Sequence, residues 1–184
     1  NEILESINVA SGEIPLLKKK FSLKTTLDNV IKLHQPKAIE AGLYLNLDFD
    51  QSIPKYLIGD PMRIYRVVLE LLVNALKFTK EGGVTITTKL AKKEGHNVVI
   101  KIEVKDTGPG ILEEKQHELF VRFKRITPSY QGIYKGTGLG LSIIKQFMDD
   151  LQGEIYVDSR PGQGSNFICI IPMKESLLED SFGI

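Results

Sequence analysis

One cysteine in 184 residues excludes an intramolecular disulfide framework and leaves no thiolate cluster for zinc. Nothing in the chain approaches the roughly 20 continuous apolar residues that a membrane-spanning helix needs. No basic segment followed by an apolar run and a cleavage site opens it, so no secretory signal is read. An excess of one charge is missing too. Lys and Arg number 24 against 23 Asp and Glu, a net charge of +1, which argues against a nucleic-acid partner held by bulk electrostatics. Repeats and low-complexity segments are not found. Hydrophobic residues at 42% and charged residues at 26% are those of an ordinary folded domain. Composition alone therefore predicts a soluble, intracellular, globular protein of about one domain.

Ile3, Leu4, Ile7 and Ala10 recur at helical spacing before Gly12, with no starting cap. The spacing fits the end of a longer helix whose stripe meets a partner, and equally a plain terminal helix. A second helix is predicted from about Leu23 to Ala41, and residues 44–50, YLNLDFD, alternate as a strand. Asp60 is a good N-cap and Pro61 a good first residue for a helix reaching about Phe78. Strands are expected at 84–90 and 97–105, a helix from about Leu139 to Leu151, and strands at 154–158 and 166–172. The tail after Pro172 reads as loose. Adjacent strand pairs with short connections favour a mixed or antiparallel sheet with helices on one face over a doubly wound parallel sheet.

Three constellations carry chemistry. The Pro61–Phe78 helix is apolar almost all round, as a buried helix is, yet Glu70, Asn74 and Lys77 interrupt it along one stripe. That stripe faces either solvent or a ligand cavity. In a cavity, Asn74 could offer a carbonyl oxygen to magnesium, Glu70 could act as a base, and Lys77 could meet phosphate. In Asp106-Thr107-Gly108-Pro109-Gly110, Asp106 continues the parity of Ile100, Ile102 and Val104, so its carboxylate is expected on the core side. It could accept from an exocyclic amine such as that of adenine, or simply cap its own turn. Gly136-Thr137-Gly138-Leu139-Gly140-Leu141 opens a helix, an arrangement suited to phosphate. The loop is neither a dinucleotide fingerprint nor a P-loop, and the protein-kinase signatures are missing. From Val121 to Met148 there is no acidic residue, while Arg122, Lys124, Arg125, Lys135 and Lys145 are basic. This stretch reads as a solvated loop or as a lid.

In order and spacing, these motifs resemble those of the catalytic, ATP-binding domain of sensor histidine kinases, within the superfamily shared with gyrase, MutL and the heat-shock chaperone ATPases. ELLVNALKFT, 70–79, is similar to the asparagine box. DTGPGI, 106–111, and GTGLGLSI, 136–143, are similar to the two glycine boxes. ELFVRFKR, 118–125, resembles the phenylalanine box, with Val121-Arg122 in place of its usual Glu-Pro. RPGQGSNF, 160–167, resembles the last glycine-containing turn, and residues 1–14 resemble the end of the dimerising helix.

The resemblance implies an α+β two-layer sandwich of the Bergerat type: a mixed five-stranded sheet with helices on one face. It implies a division into 1–20 (end of the phosphoacceptor helix and linker), 21–173 (catalytic domain) and 174–184 (tail). ATP and Mg2+ are the implied ligands. Asn74 would bind magnesium, with Glu70 possible beside it. Asp106 would take the adenine amine, with Gly108 and Gly110 shaping the pocket. Lys77, Arg125 and the backbone from Gly136 through Thr137, Gly138, Leu139 and Gly140 to Leu141 would hold the phosphates.

The implied reaction is phosphoryl transfer to a histidine on an upstream helical domain, in a cytoplasmic homodimer that serves a response-regulator receiver domain. None of His34, His96 and His117 sits in a phosphoacceptor motif, so that histidine is expected upstream. Glu70 stands where many sensor kinases carry another Asn. It keeps open a gyrase- or chaperone-like ATPase with Glu70 as base, and a non-catalytic nucleotide-sensing module remains a further alternative. Cys169, between Ile168 and Ile170, is expected to be a buried structural thiol.

Overall fold

The computed structural model describes residues 15–116 and 138–177. The elements run β1 Lys19–Phe21, α1 Leu23–Glu40, β2 Tyr44–Asp48, β3 Leu57–Gly59 and α2 Pro61–Phe78. They continue with β4 Gly83–Glu94, β5 Asn97–Asp106, a single turn α3 Glu113–Gln116, α4 Gly138–Asp150, β6 Glu154–Ser159 and β7 Ser165–Glu175. The expected amino-terminal helix, the phenylalanine box, Arg125, Gly136, Thr137 and the residues from 178 lie outside the described residues, as do the side chains of 138–140.

Local chemistry sets the helix starts. Ser22 caps α1 by accepting the Thr25 N–H at 3.2 Å. Asp60 caps α2 by accepting the Arg63 N–H at 3.0 Å, with Pro61 in the first turn, where its missing N–H costs nothing. α2 then buries Ile64, Val67, Val68, Leu71, Leu72, Ala75 and Leu76. It packs against α1, α4, β4 and β5.

The long strands lie in the order β2-β4-β5-β7-β6, with only the β2–β4 pair parallel. The sheet has seven strands rather than the expected five, because β1 and β3 form a short ribbon that joins the carboxyl-terminal end of β7. Three-residue strands are too short to display alternation, which is why the sequence pattern does not announce them. β7 also runs to Glu175, past Pro172: Met173 points into the core, and the Leu57–Ile58 edge pairs with Lys174 and Glu175.

Alternation decides which face is covered. In β5, Val98, Ile100, Ile102 and Val104 are buried; in β7, Phe167, Cys169, Ile171 and Met173 are. These inward side chains meet the apolar faces of the helices in one continuous core. Each fully buried leucine or isoleucine contributes about 1.5–3 kcal/mol. The Cys169 thiol is buried and its pKa is pushed up to about 12 by loss of solvent, as befits a structural thiol. Asp50, after β2, ties the sheet edge. Its carboxylate accepts from the Leu90 N–H at 2.9 Å and from both the N–H and the hydroxyl of Ser52. Leu90 flanks the bulge in β4. These donors hold the Asp50 pKa down at about 2.

Candidate functional site

Strand parity carries Asp106 to the core side, as the pattern predicts: the inward run of β5 ends on it, and it is 9% exposed. Its Oδ1 accepts the Gly108 N–H at 2.8 Å and the Ser165 N–H at 3.2 Å. The first bond is the turn-capping arrangement that the sequence left open, and the second ties the turn to β7. Burial raises the Asp106 pKa, and the two N–H donors oppose that rise. The carboxylate retains acceptor capacity, since an ionised carboxylate has about four lone-pair sites.

Around it lies a cleft lined by Asn74, Ala75, Phe78, Asp106, Gly110 and Ser165. Asn74 is 6% exposed, and its Nδ2 is buried with no partner among the described residues. A buried amide left this way costs about 1–3 kcal/mol, so a cleft that supplies a partner only when occupied is a natural reading. Gly110 has φ +76°, and a Cβ there would lie 2.1 Å from the Arg160 carbonyl oxygen. The cleft wall is thus pressed against the β6–β7 turn. A Cβ on Gly108 would come within 3.0 Å of Asp106 Oδ1 and 3.2 Å of Thr79 Oγ1. Gly110 thus lines the cleft, and Gly108 packs closely beside Asp106 and Thr79.

The polar stripe on α2 is graded rather than uniform. Asn74 is buried, Glu70 half-buried and Lys77 exposed, with Lys77 Nζ 5.5 Å from the centre of the Phe78 ring. Glu70 does not stand alone: it accepts from Arg66 Nε at 2.8 Å, one turn back. α4 packs on α2, and its final turn reaches the start of α2 through Asp150 and Arg63. Its opposite end opens at Gly138. There the first four N–H groups of the helix, 138–141, have no acceptor within the helix. The Leu141 side chain is sealed in the core, leaving only its backbone for a ligand.

Two residues that the sequence reading passed over belong to this site. Thr79 is 5% exposed, and its hydroxyl has no partner among the described residues. Ser165, 4% exposed, bonds to Ser159 Oγ at 2.8 Å and lines the cleft. The signal for Ser165 was its register opposite Asp106, which only strand pairing reveals. A wider polar depression, lined by Lys105, Asp158, Arg160 and Asn166, shares Ser165 with the cleft and holds none of the expected site residues. Among the described residues no cluster of three or more His, Cys, Asp or Glu could hold a metal alone. No described helix is long and apolar enough to cross a membrane.

Residues 59–175 match the family of histidine kinase-, DNA gyrase B- and HSP90-like ATPases. The chain belongs to this family. Hybrid signal transduction histidine kinase B of Dictyostelium discoideum is 36% identical over 94% of the chain, which spans 9% of that protein. Signal transduction histidine-protein kinase BarA of Escherichia coli K12 is 34% identical over 91% of the chain, which spans 18% of that protein. The structure of full-length ShkA in complex with AMPPNP superposes with a TM-score of 0.76 at 26% identity, over 96% of this chain and 35% of that one. The nucleotide-free catalytic domain of histidine kinase ThkA gives 0.66 at 28% identity, over 86% and 98%. The α+β layering of a mixed sheet under helices is thus that of histidine-kinase catalytic domains, and the domain is of the ATP-binding type.

Proposed function

We propose that this domain binds Mg-ATP in the Asn74–Asp106 cleft and passes the γ-phosphoryl group to a histidine on a helical domain upstream of it, in two-component signalling. The observation that carries the reading is the buried Asp106 carboxylate, held by two backbone N–H groups and lining a cleft in which the Asn74 Nδ2 has no partner among the described residues. Asp106 accepts from the adenine amine. Lys77 and the N–H groups opening α4 meet the phosphates, together with Arg125, Gly136 and Thr137. The carbonyl oxygen of Asn74 suits magnesium, a hard cation that keeps several positions for phosphate and water. Held there by Asn74, magnesium would supply charge neutralisation for the transferring group. An imidazole nitrogen attacks the γ-phosphorus, the bond to the bridging oxygen breaks, and ADP leaves. Positioning and electrostatics supply most of the acceleration.

The resemblance supports a homodimer with a receiver-domain partner, in the cytoplasm where ATP is available. The resemblance also carries the division into 1–20, 21–173 and 174–184, with the sheet itself spanning Lys19 to Glu175. Asp106→Asn would present an amide N–H₂ to the adenine amine. We expect nucleotide affinity to fall by roughly ten- to a hundredfold, the value of a hydrogen bond to a charged group. Titration with a fluorescent ATP analogue in Mg2+ checks this, and undiminished binding would refute the assignment. Glu70 is the test of the ATPase alternative. With its carboxylate engaged by Arg66, we expect Glu70→Gln to leave steady-state hydrolysis by the chain slow and nearly unchanged, whereas a water-activating base would lose almost all turnover.

A further inference from the structure

Arg63 is a long cation buried to 2% exposure, and it sits away from the cleft. Among the described residues its contacts include two carboxylates, a carbonyl and an aromatic ring. Its Nη1 donates to Asp60 Oδ2 at 2.5 Å and to the Pro15 carbonyl at 2.8 Å, its Nε donates to Asp150 Oδ2 at 3.2 Å, and its guanidinium lies 5.4 Å from the centre of the Phe147 ring. Asp60 in turn accepts the Leu17 N–H at 3.0 Å. One side chain thus joins three segments distant in sequence: the incoming stretch Pro15–Leu17, the start of α2, and the end of α4.

The contacts differ in strength. The Asp60 side chain is fully buried, so breaking that arm would strand a charge, at severe cost. The Asp150 side chain is 36% exposed and its contact is the longest of the ion pairs and hydrogen bonds here, so this arm opens toward water while Asp60 keeps the cation paired. The Asp150 contact can therefore be engaged or released without stranding the cation, while Leu141, Ile144 and Met148 hold α4 in the core. α4 is a rigid rod of 13 residues, about 20 Å long. Its other end is the glycine-rich opening at Gly138.

We propose that Arg63 is a positioning residue that couples the incoming segment Pro15–Leu17 to the nucleotide site through α4. Nucleotide held at the amino-terminal end of α4 favours the engaged state, and the engaged state tightens the clasp on Leu17. By reciprocity, pulling on the incoming segment weakens nucleotide binding. This rests on the proposed nucleotide site.

The test is hydrogen exchange of the Leu17 amide, with and without saturating Mg2+ and a non-hydrolysable ATP analogue, in the wild-type chain and in Asp150→Asn. That variant keeps the buried Asp60–Arg63 pair, so folding is not at stake. The Ser176 amide, bonded to the Tyr56 carbonyl at 3.0 Å, serves as reference because it exchanges at a strand edge and does not touch the clasp. In the wild type, nucleotide should slow Leu17 by at least about fivefold relative to Ser176, the lower end of typical coupling between sites. In Asp150→Asn that slowing should vanish while the analogue still binds. A purely structural clasp would raise Leu17 exchange equally with and without nucleotide, and would overturn the proposal. So would saturable binding that leaves wild-type Leu17 unaffected, which defeats this inference alone. Absence of saturable binding defeats the proposed nucleotide site and this inference with it.

Discussion

Gly110 and Gly162 both have positive φ, +76° and +78°, yet they answer to different constraints. At Gly162 nothing lies within 4 Å of an added Cβ, whereas at Gly110 that atom would meet the Arg160 carbonyl. Gly162→Ala should cost only the left-handed backbone penalty, about 1–2 kcal/mol. Gly110→Ala should cost more than about 3 kcal/mol, since strand and turn must part as well. Urea denaturation of the two variants measures the difference. Asp50 supplies a pH dependence. Its pKa is lowered to about 2 from the ordinary 3.8, so its contribution to stability is complete above pH 3.8 and is lost as pH falls through about 2. Asp50→Asn should flatten that part of the acid-denaturation curve, seen as a smaller fall in melting temperature between pH 4 and pH 2 than in the wild type. Asp106 was legible beforehand because parity needs nothing but its own strand. Thr79 and Ser165 were not, because their burial depends on a helix end and a partner strand.

At the scale of elements, the long strands and helices could be read because each carries its own periodicity and its own stop: Asp60-Pro61 before α2, Glu81-Gly82-Gly83 after it. The β1–β3 ribbon could not, since three residues show no period. The Arg63 clasp was hidden for another reason: Pro15 and Asp150 lie 48 and 87 positions away from Arg63, and no local pattern links them. Asp60 was read correctly as a cap, but its second oxygen serves the clasp. α2 is the element on which both the core and the cleft depend. Leu72, fully buried at its centre, should cost about 2–5 kcal/mol when cut to alanine, by lost burial and the cavity left behind. Because Asn74 is two residues on, nucleotide affinity measured on the Leu72→Ala protein at low temperature should fall as well if the helix relaxes into that cavity.

For the molecule as a whole, a ligand that binds only the folded state must raise the melting temperature. At a concentration of about 100 times Kd the stabilisation is about 2.7 kcal/mol. For a chain of this size that is a rise of roughly 5–10 °C, measurable by calorimetry with Mg-ATP and cut to roughly 1–5 °C with Asp106→Asn at the same concentration, where the variant is only about 1–10 times above its own Kd. The overall charge of +1 gave no hint of such a ligand, because it averages a stretch from Val121 to Met148 without acidic residues against the rest of the chain.

β7 is hydrogen-bonded along one side to β5 and along the other to β6 and then β3, and it is the last strand of the sheet in chain order. On a ribosome this separates the making of the site from its completion. A nascent chain that has emerged as far as α4 already carries Asn74 and Asp106, but Asp106 lacks its Ser165 donor and Gly110 lacks the Arg160 backbone behind it. The cleft is complete only when the final hairpin arrives, so its assembly waits on synthesis of the whole domain.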